Sequence, residues 1–391
     1  MERDTRNTFR EICGGEEKLV SQMLRIENKL VSKASSPDSL PLRFVKLRKN
    51  EATLADPREV HLELTPMGQY TTAACYIAVS YTWAQSQLLE ETFAHVVPEY
   101  VLWTSDHVSR PLRCSPLVFH RALEVAKARL AEPLIWIDQE CIEQDHPSDI
   151  EAHLQIMHEI YIRSDLTVAL LSSLFTNQSW FDQAQAVVTT PPNQAELLAS
   201  PGSFEPAFRL LKCILEDKWA TRTWAYQEWF CAHNLCYLLP IAPHLACITQ
   251  SNTSRALEAE TPSFDLSIPD VYVYLIIKAY RALETRFANK KASTVPDGHR
   301  NNWGAIPTKE RIAERSHSMD PLLKRFEASP RWLGQFPAKD YLLNAFTHME
   351  ACDNLVFADR LAILSNMFNF EMRLPCKDVN HSNYSFSTKK K

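Results

Sequence analysis

Glycine is scarce in this chain: seven residues of 391, where average usage is about 7%. There is no G-x-G-x-x-G and no P-loop, which excludes a nucleotide site built on a glycine-rich phosphate cradle. Long apolar runs are also missing. The longest, "LTVALLSSLF" and "LCYLLPIAPHLACI", fall short of the roughly 18 residues a membrane helix needs, and the second is broken by prolines and a histidine. The first residues, "MERDTRNTFREICGGEEK", are charged and hold no apolar core, so no secretory signal is expected. Ten cysteines are present but none forms a C-x-x-C, and they read as reduced, mostly buried thiols. The chain is accordingly expected to be cytoplasmic. His146, His153 and His158 lack H-E-x-x-H spacing, and Cys231, His233 and Cys236 form no familiar ligand set, so no metal is expected. No G-x-S-x-G occurs. Positive charge is in deficit as well: 42 Lys and Arg stand against 47 Asp and Glu, a net charge of −5, with a pI near 6.2. That argues against nucleic acid or an anionic membrane surface as the partner.

What the chain does have is the balance of a globular protein, 45% hydrophobic and 23% charged, with length for two or three domains. Residues 1–40 read as a charged helical or disordered segment. From Pro41, "LRFVKL" and "EVHLELTPM" alternate as strands do, and "YIAVSYTW" is β-branched and aromatic throughout. "SPLVFHRALEVAKARL" places Val118, Ala122, Val125, Ala126 and Leu130 on one helical face. "LIWI" is the next strand. A helix follows from Pro147 to about Ser164, with Ser148 and Glu151 spaced as a capping box, and then the strand "LTVALL". Strand, helix, strand with both strands buried is the βαβ unit of a parallel sheet covered on both faces. Residues 176–206 read as a polar loop or insertion. Two helices, "AFRLLKCILED" and "RTWAYQEWFCA", and a strand, "LCYLL", close an α/β domain at about 41–240. Residues 241–391 read as a mainly helical C-terminal region, with helices in "DVYVYLIIKAYRALETRF", "KDYLLNAFTHME" and "DRLAILSNMFNF".

Two stretches carry chemistry. The buried strand "LIWI" stops at four acids: Asp138, Glu140, Glu143 and Asp145. In open parallel sheets ligands sit beyond the carboxyl ends of the strands, so Asp138 either holds a ligand hydroxyl or caps its own turn. Glu140, Glu143 and Asp145 read as solvated loop charge. Cys141 reads as a small buried residue rather than as a nucleophile paired with His146. The second stretch is "WATRTWAYQEWF". Trp224 and Glu228 are four residues apart and share a helical face. A carboxylate among aromatic rings loses solvation and its pKa rises. Glu228 is therefore either a reactive carboxylate or a core residue paired with an arginine.

Three segments then line up in order: "YIAVSYTWA" (76–84), "LIWIDQECIEQ" with "MHEIYIRSD" (134–144 and 157–165), and "TRTWAYQE" (221–228). Together they closely resemble the fungal heterokaryon incompatibility (HET) domain. The matching residues are Ser80, Tyr81, Trp83, Trp136, Ile137, Asp138, Cys141, Ile142, Gln144, Met157, Ile160, Tyr161, Arg222, Trp224, Gln227 and Glu228. Ala84, Ser164 and Ala225 stand where that family usually has glycine, alanine and threonine. The resemblance implies an effector of non-self recognition and programmed cell death, working through protein partners and self-association, with neither nucleic acid nor membrane. HET domains are regarded as distant relatives of Toll/interleukin-receptor (TIR) domains, which implies a flavodoxin-like parallel sheet with flanking helices. Some TIR domains cleave NAD with a glutamate four residues after a tryptophan, the spacing of Trp224 and Glu228. On that reading NAD is a substrate rather than a bound cofactor. Glu228 and Asp138 are the catalytic carboxylates, and Tyr81, Trp83, Arg222 and Trp224 bind the substrate. The alternative is a non-enzymatic, self-associating signalling module in which the same residues serve the core.

Overall fold

The computed structural model describes residues 41–48, 59–70, 74–189, 201–245 and 264–290, with short pieces at 17, 31–32, 349, 352, 363–364, 366–367 and 372–373. Apart from a separate two-stranded pairing of Val31–Ser32 with Met372–Arg373, the elements begin with β1 (Val45–Leu47), β2 (Glu59–Leu64), β3 (Ile77–Ser80), α1 (Gln87–Phe93), β4 (Glu99–Trp103), β5 (Ser109–Pro111), α2 (Pro116–Arg129) and β6 (Ile135–Trp136). The chain continues through α3 (Asp138–Cys141), α4 (Pro147–Arg163), β7 (Leu166–Leu170), α5 (Gln178–Thr189) and α6 (Pro201–Glu216). A 3₁₀ turn (Lys218–Thr221), α7 (Thr223–Cys231), β8 (Leu235–Pro240), β9 (Asp265–Pro269) and α8 (Asp270–Lys290) follow.

Apolar runs became the centre of the sheet. β3, β7 and β8 are buried at every residue, because strands covered on both faces cannot alternate. β6, β3, β7 and β8 lie side by side and parallel. Numbered along the chain, these four strands stand in the order 2-1-3-4. Right-handed crossovers then place α2 on one face and α4 on the other, where α4 packs against α7.

The expectation of a parallel sheet is only partly met. The sheet has nine strands in the order β9-β8-β7-β3-β6-β1-β2-β4-β5 and is mixed. β1 runs antiparallel to β6 and β2, β5 to β4, and β9 to β8. β4 and the edge strand β9 alternate between buried and more exposed residues, as strands covered on one face do. The sheet thus continues past residue 240. β9 is held there by Arg121 on α2, which is almost wholly buried. Its guanidinium grips Asp265 through Nε at 3.0 Å to both carboxylate oxygens, and donates to the carbonyls of Leu171 and Leu238 at 3.0 and 2.8 Å.

Two further expectations change. Residues 176–206 are not one loop: α5 and the start of α6 lie within them, and 190–200 fall outside the described residues. Asn177 starts α5 by accepting the Trp180 N–H at 2.9 Å, and Phe181 and Ala184, three apart, bury one face. The capping box at Ser148 does not form. α4 starts at Pro147 with no side-chain cap, since proline at the first helical position has no N–H to satisfy. The carboxylate of Asp149 instead takes the Glu143 N–H and an Arg43 guanidinium nitrogen. The helix expected from "DVYVYLIIKAYRALETRF" is α8. Those expected from "KDYLLNAFTHME" (339–350) and "DRLAILSNMFNF" (359–370), and the segment 1–40, lie almost wholly outside the described residues. No helix of the described residues is long and apolar enough to cross a membrane.

Candidate functional site

β3 ends at Ser80, which is followed by Tyr81 and Thr82, all three buried, and side chains from three other segments converge on them. From above comes Trp219 in the 3₁₀ turn, whose indole N–H donates to Ser80 Oγ at 2.6 Å. Ser80 Oγ in turn donates a short hydrogen bond to Glu228 Oε2. These two residues lie 148 positions apart in sequence. Tyr161 on α4 also hydrogen-bonds Glu228, and its hydroxyl lies 3.4 Å from the Val79 carbonyl.

Glu228 is 9% exposed. Burial pushes its carboxyl up to about 7 from the usual 4.5, against the pull of Arg222 and the hydrogen bonds from Ser80 and Tyr161. The nearby charge of Asp138 adds to the rise. Glu228 is therefore close to half-ionised at neutral pH, the range in which a carboxylate both holds and releases a proton.

The other half of the cluster is built around Tyr81 and Asp138. Asp138 is the first residue after β6 and its neighbour Ile137, so it stands at the carboxyl end of the strand beside β3. Its Oδ1 lies 2.8 Å from the Tyr81 hydroxyl and accepts the Gln139 N–H at 2.7 Å, and its Oδ2 accepts the Trp83 indole N–H at 2.8 Å. The Tyr81 hydroxyl also lies 2.6 Å from the Gln139 side-chain amide. It has one proton to give, and Asp138 Oδ1 and Gln139 Oε1 are both acceptors, so it donates to one of them at a time. Burial raises the pKa of Asp138, while the hydrogen bonds from Trp83, Tyr81 and the Gln139 N–H and the charge of Arg222 oppose it. Arg222 precedes α7, donates to the Tyr81 carbonyl, and acts through space on both carboxylates.

The six residues singled out in the sequence do not fare equally. Glu228, Asp138, Tyr81, Trp83 and Arg222 share one cluster at the end of β3. Trp83 is 49% exposed, so its ring edge holds Asp138 while much of its face meets solvent. Trp224 is half-buried one turn before Glu228 and packs against the core. Sequence reasoning gave no role to Ser80, Tyr161 or Trp219. The first two were visible as motif positions. Trp219 opens the tryptophan-rich stretch singled out in the sequence, but only the turn geometry aims its indole at Ser80.

The acidic loop is not uniformly solvated. Asp145 is, and Glu143 is half-exposed with Arg43 at 2.9 Å. Glu140 is buried. It accepts the N–H groups of Arg113 and Cys114 at 2.5 and 2.9 Å and pairs with Arg110 at 2.8 Å. The sequence missed this because its partners lie on the β5–α2 connection, 26 or more residues earlier. A hollow of about 410 Å³ beside it is lined by Arg43, Arg110, Arg113, Glu143 and His146 among others, and its charges largely pair with one another. Glu140→Ala is expected to cost about 3 kcal/mol by stranding two buried N–H groups and a guanidinium. A urea midpoint measured against Glu140→Gln, which keeps an acceptor, checks it: the Gln variant should lose clearly less. Cys141 is wholly buried, and its thiol is pushed up to about 12 by burial. His146 is exposed.

Against the family models, residues 76–228 match the family described as heterokaryon incompatibility protein (HET). No curated protein and no solved structure matches the chain.

Proposed function

We propose, from the premise that residues 76–228 of this chain are a HET domain, that it is an incompatibility effector that signals cell death through protein partners and self-association and that hydrolyses NAD at the end of β3. One observation carries the enzymatic part. Glu228 and Asp138, from segments far apart in sequence, meet at consecutive residues, Ser80 and Tyr81, at the carboxyl ends of adjacent parallel strands. In doubly wound sheets that edge is where ligands bind, at the point where strand order reverses. The 2-1-3-4 order of the central strands puts β3 at that reversal and supports the flavodoxin-like, TIR-like reading.

The chemistry suits the residues. Cleavage breaks the bond between C1′ of the ribose and the nicotinamide nitrogen. The bonding electrons leave with the nicotinamide, which departs neutral, so no strong general acid is needed. Positive charge develops on the ribose as an oxocarbenium ion, as in glycoside hydrolysis. An ionised Glu228 stabilises that charge electrostatically, Asp138 holds a ribose hydroxyl, and the open face of Trp83 stacks on a base. Water then adds to C1′ and loses a proton to solvent. A phosphate cradle of glycines is not required, in keeping with the seven glycines. Because the ionised form of Glu228 acts, the rate should rise with pH through about 7.

The test is incubation of the purified full chain with NAD, reading nicotinamide and ADP-ribose by chromatography. Release that rises through pH 7 is expected. No release at high protein concentration, with oligomers present, overturns the enzymatic reading. The rival is a signalling module without chemistry. It is favoured by one observation: Glu228 is 9% exposed and hydrogen-bonded by Ser80 and Tyr161, as a core polar group would be.

A further inference from the structure

We propose that Ser80 and Trp219 are positioning residues that keep Oε2 of Glu228 a permanent hydrogen-bond acceptor, so that its proton comes and goes only at the other oxygen. The direction of each hydrogen bond follows from what the groups can do. An indole N–H donates and cannot accept. The contact from Trp219 Nε1 to Ser80 Oγ at 2.6 Å therefore makes Ser80 the acceptor. The serine hydroxyl has one proton, and with an acceptor role already filled toward Trp219, that proton is aimed at Glu228 Oε2. Oε2 receives it in both protonation states of the carboxyl.

The indole cannot drift away from this duty. Trp219 is wholly buried and meets Tyr237 edge-on at 5.8 Å. Its backbone N–H is held by Asp217 Oδ1 at 2.9 Å, while Asp217 Oδ2 takes the N–H groups of Ser172 and Ser173, just beyond β7, at 2.8 and 3.0 Å. The loop that ends β7 is thus tied through Asp217, Trp219 and Ser80 to Glu228. Tyr161 completes the device. Facing an ionised Glu228 it donates to the carboxylate. Facing a protonated Glu228 it accepts, and turns its own proton toward the Val79 carbonyl 3.4 Å away. Both states leave the buried groups satisfied, so the carboxyl can titrate without an orphaned donor.

The inference rests on Glu228 as the reacting carboxylate, and its test reads that carboxyl without turnover. Protein labelled with ¹³C at the glutamate side-chain carboxyls is titrated by NMR, with Glu228→Gln identifying the resonance. Wild type is expected to titrate near 7. Ser80→Ala removes a donor to the charged form and should raise that value by about one pH unit. Ser80→Cys, close in shape with a weaker S–H donor, should fall between them, and it serves if the alanine variant fails to fold. Trp219→Phe, which frees the serine hydroxyl to turn away, should also raise it. A folded Ser80→Ala or Ser80→Cys protein that titrates with wild type overturns the inference, whether or not NAD is cleaved. Loss of NAD cleavage alone, with these shifts intact, overturns only the enzymatic reading.

Discussion

Glu228→Gln is expected to abolish NAD cleavage while making the protein more stable at pH 8. The loss should exceed about a hundredfold, since an amide cannot supply the negative charge that stabilises the oxocarbenium. The gain follows from linkage. In the folded chain the Glu228 carboxyl titrates near 7, against about 4.5 ordinarily. Between those values the native state binds more protons than the unfolded state. Its stability therefore falls as pH rises across that window and stays flat above it. At about 1.4 kcal/mol per pH unit, the window corresponds to roughly 3 kcal/mol. The amide is neutral at every pH, keeps an oxygen for the Ser80 proton, and offers an N–H to Tyr161. Thermal melts of the two proteins should lie several degrees apart at pH 8 and converge near pH 5. Equal melting at both pH values would mean that Glu228 is not strained by burial. Asp138 is also raised by burial, so its contribution has the same sign.

Arg121→Met should destabilise the chain by about 3–5 kcal/mol, the cost of breaking a buried ion pair from one side. The substitution leaves Asp265 charged and nearly buried, removes the guanidinium donor from the Leu171 carbonyl, and leaves the Leu238 carbonyl with the Leu171 N–H in place of two donors. The damage should centre on β9 and the end of β8, where hydrogen exchange would show the loss first. Arg121→Met with Asp265→Leu should recover much of it, because a wholly apolar contact carries no unpaired charge. Urea midpoints of the single and double variants check this. A double variant as weak as the single one would show that the two carbonyls, rather than the charge pair, hold the edge.

Much of the candidate site was legible in the sequence, for a physical reason. Ser80, Tyr81, Trp83, Asp138, Arg222 and Glu228 sit in short contiguous blocks at the ends of apolar strands or at a helix start. A strand that must be buried and then stop abruptly marks its own carboxyl end. The central strands were legible in the same way, because burial on both faces imposes an unbroken apolar run. The scarcity of glycine by itself excludes a glycine-rich phosphate cradle.

What the sequence could not decide was which distant groups meet. Periodicity shows that "LRFVKL" and "EVHLELTPM" are strands, but not that β1 inserts antiparallel between β6 and β2. It offered no sign of β9, whose five residues pair with β8, bury Leu266 and Ile268, and are tied to α2 by the Arg121–Asp265 pair. Glu140 and Asp145 look alike in the acidic loop. One is buried and the other exposed, because Glu140 alone meets two backbone N–H groups and a guanidinium from the β5–α2 connection. The elevated pKa of Glu228 likewise comes from the desolvation of a closed tertiary site, and the direction of its hydrogen bond from Ser80 is set by Trp219, which only the turn geometry brings there. Local order is set by short-range sterics and hydrophobic pattern. The protonation state of a buried acid is set by whatever the fold brings within hydrogen-bonding distance, and only the folded chain determines that.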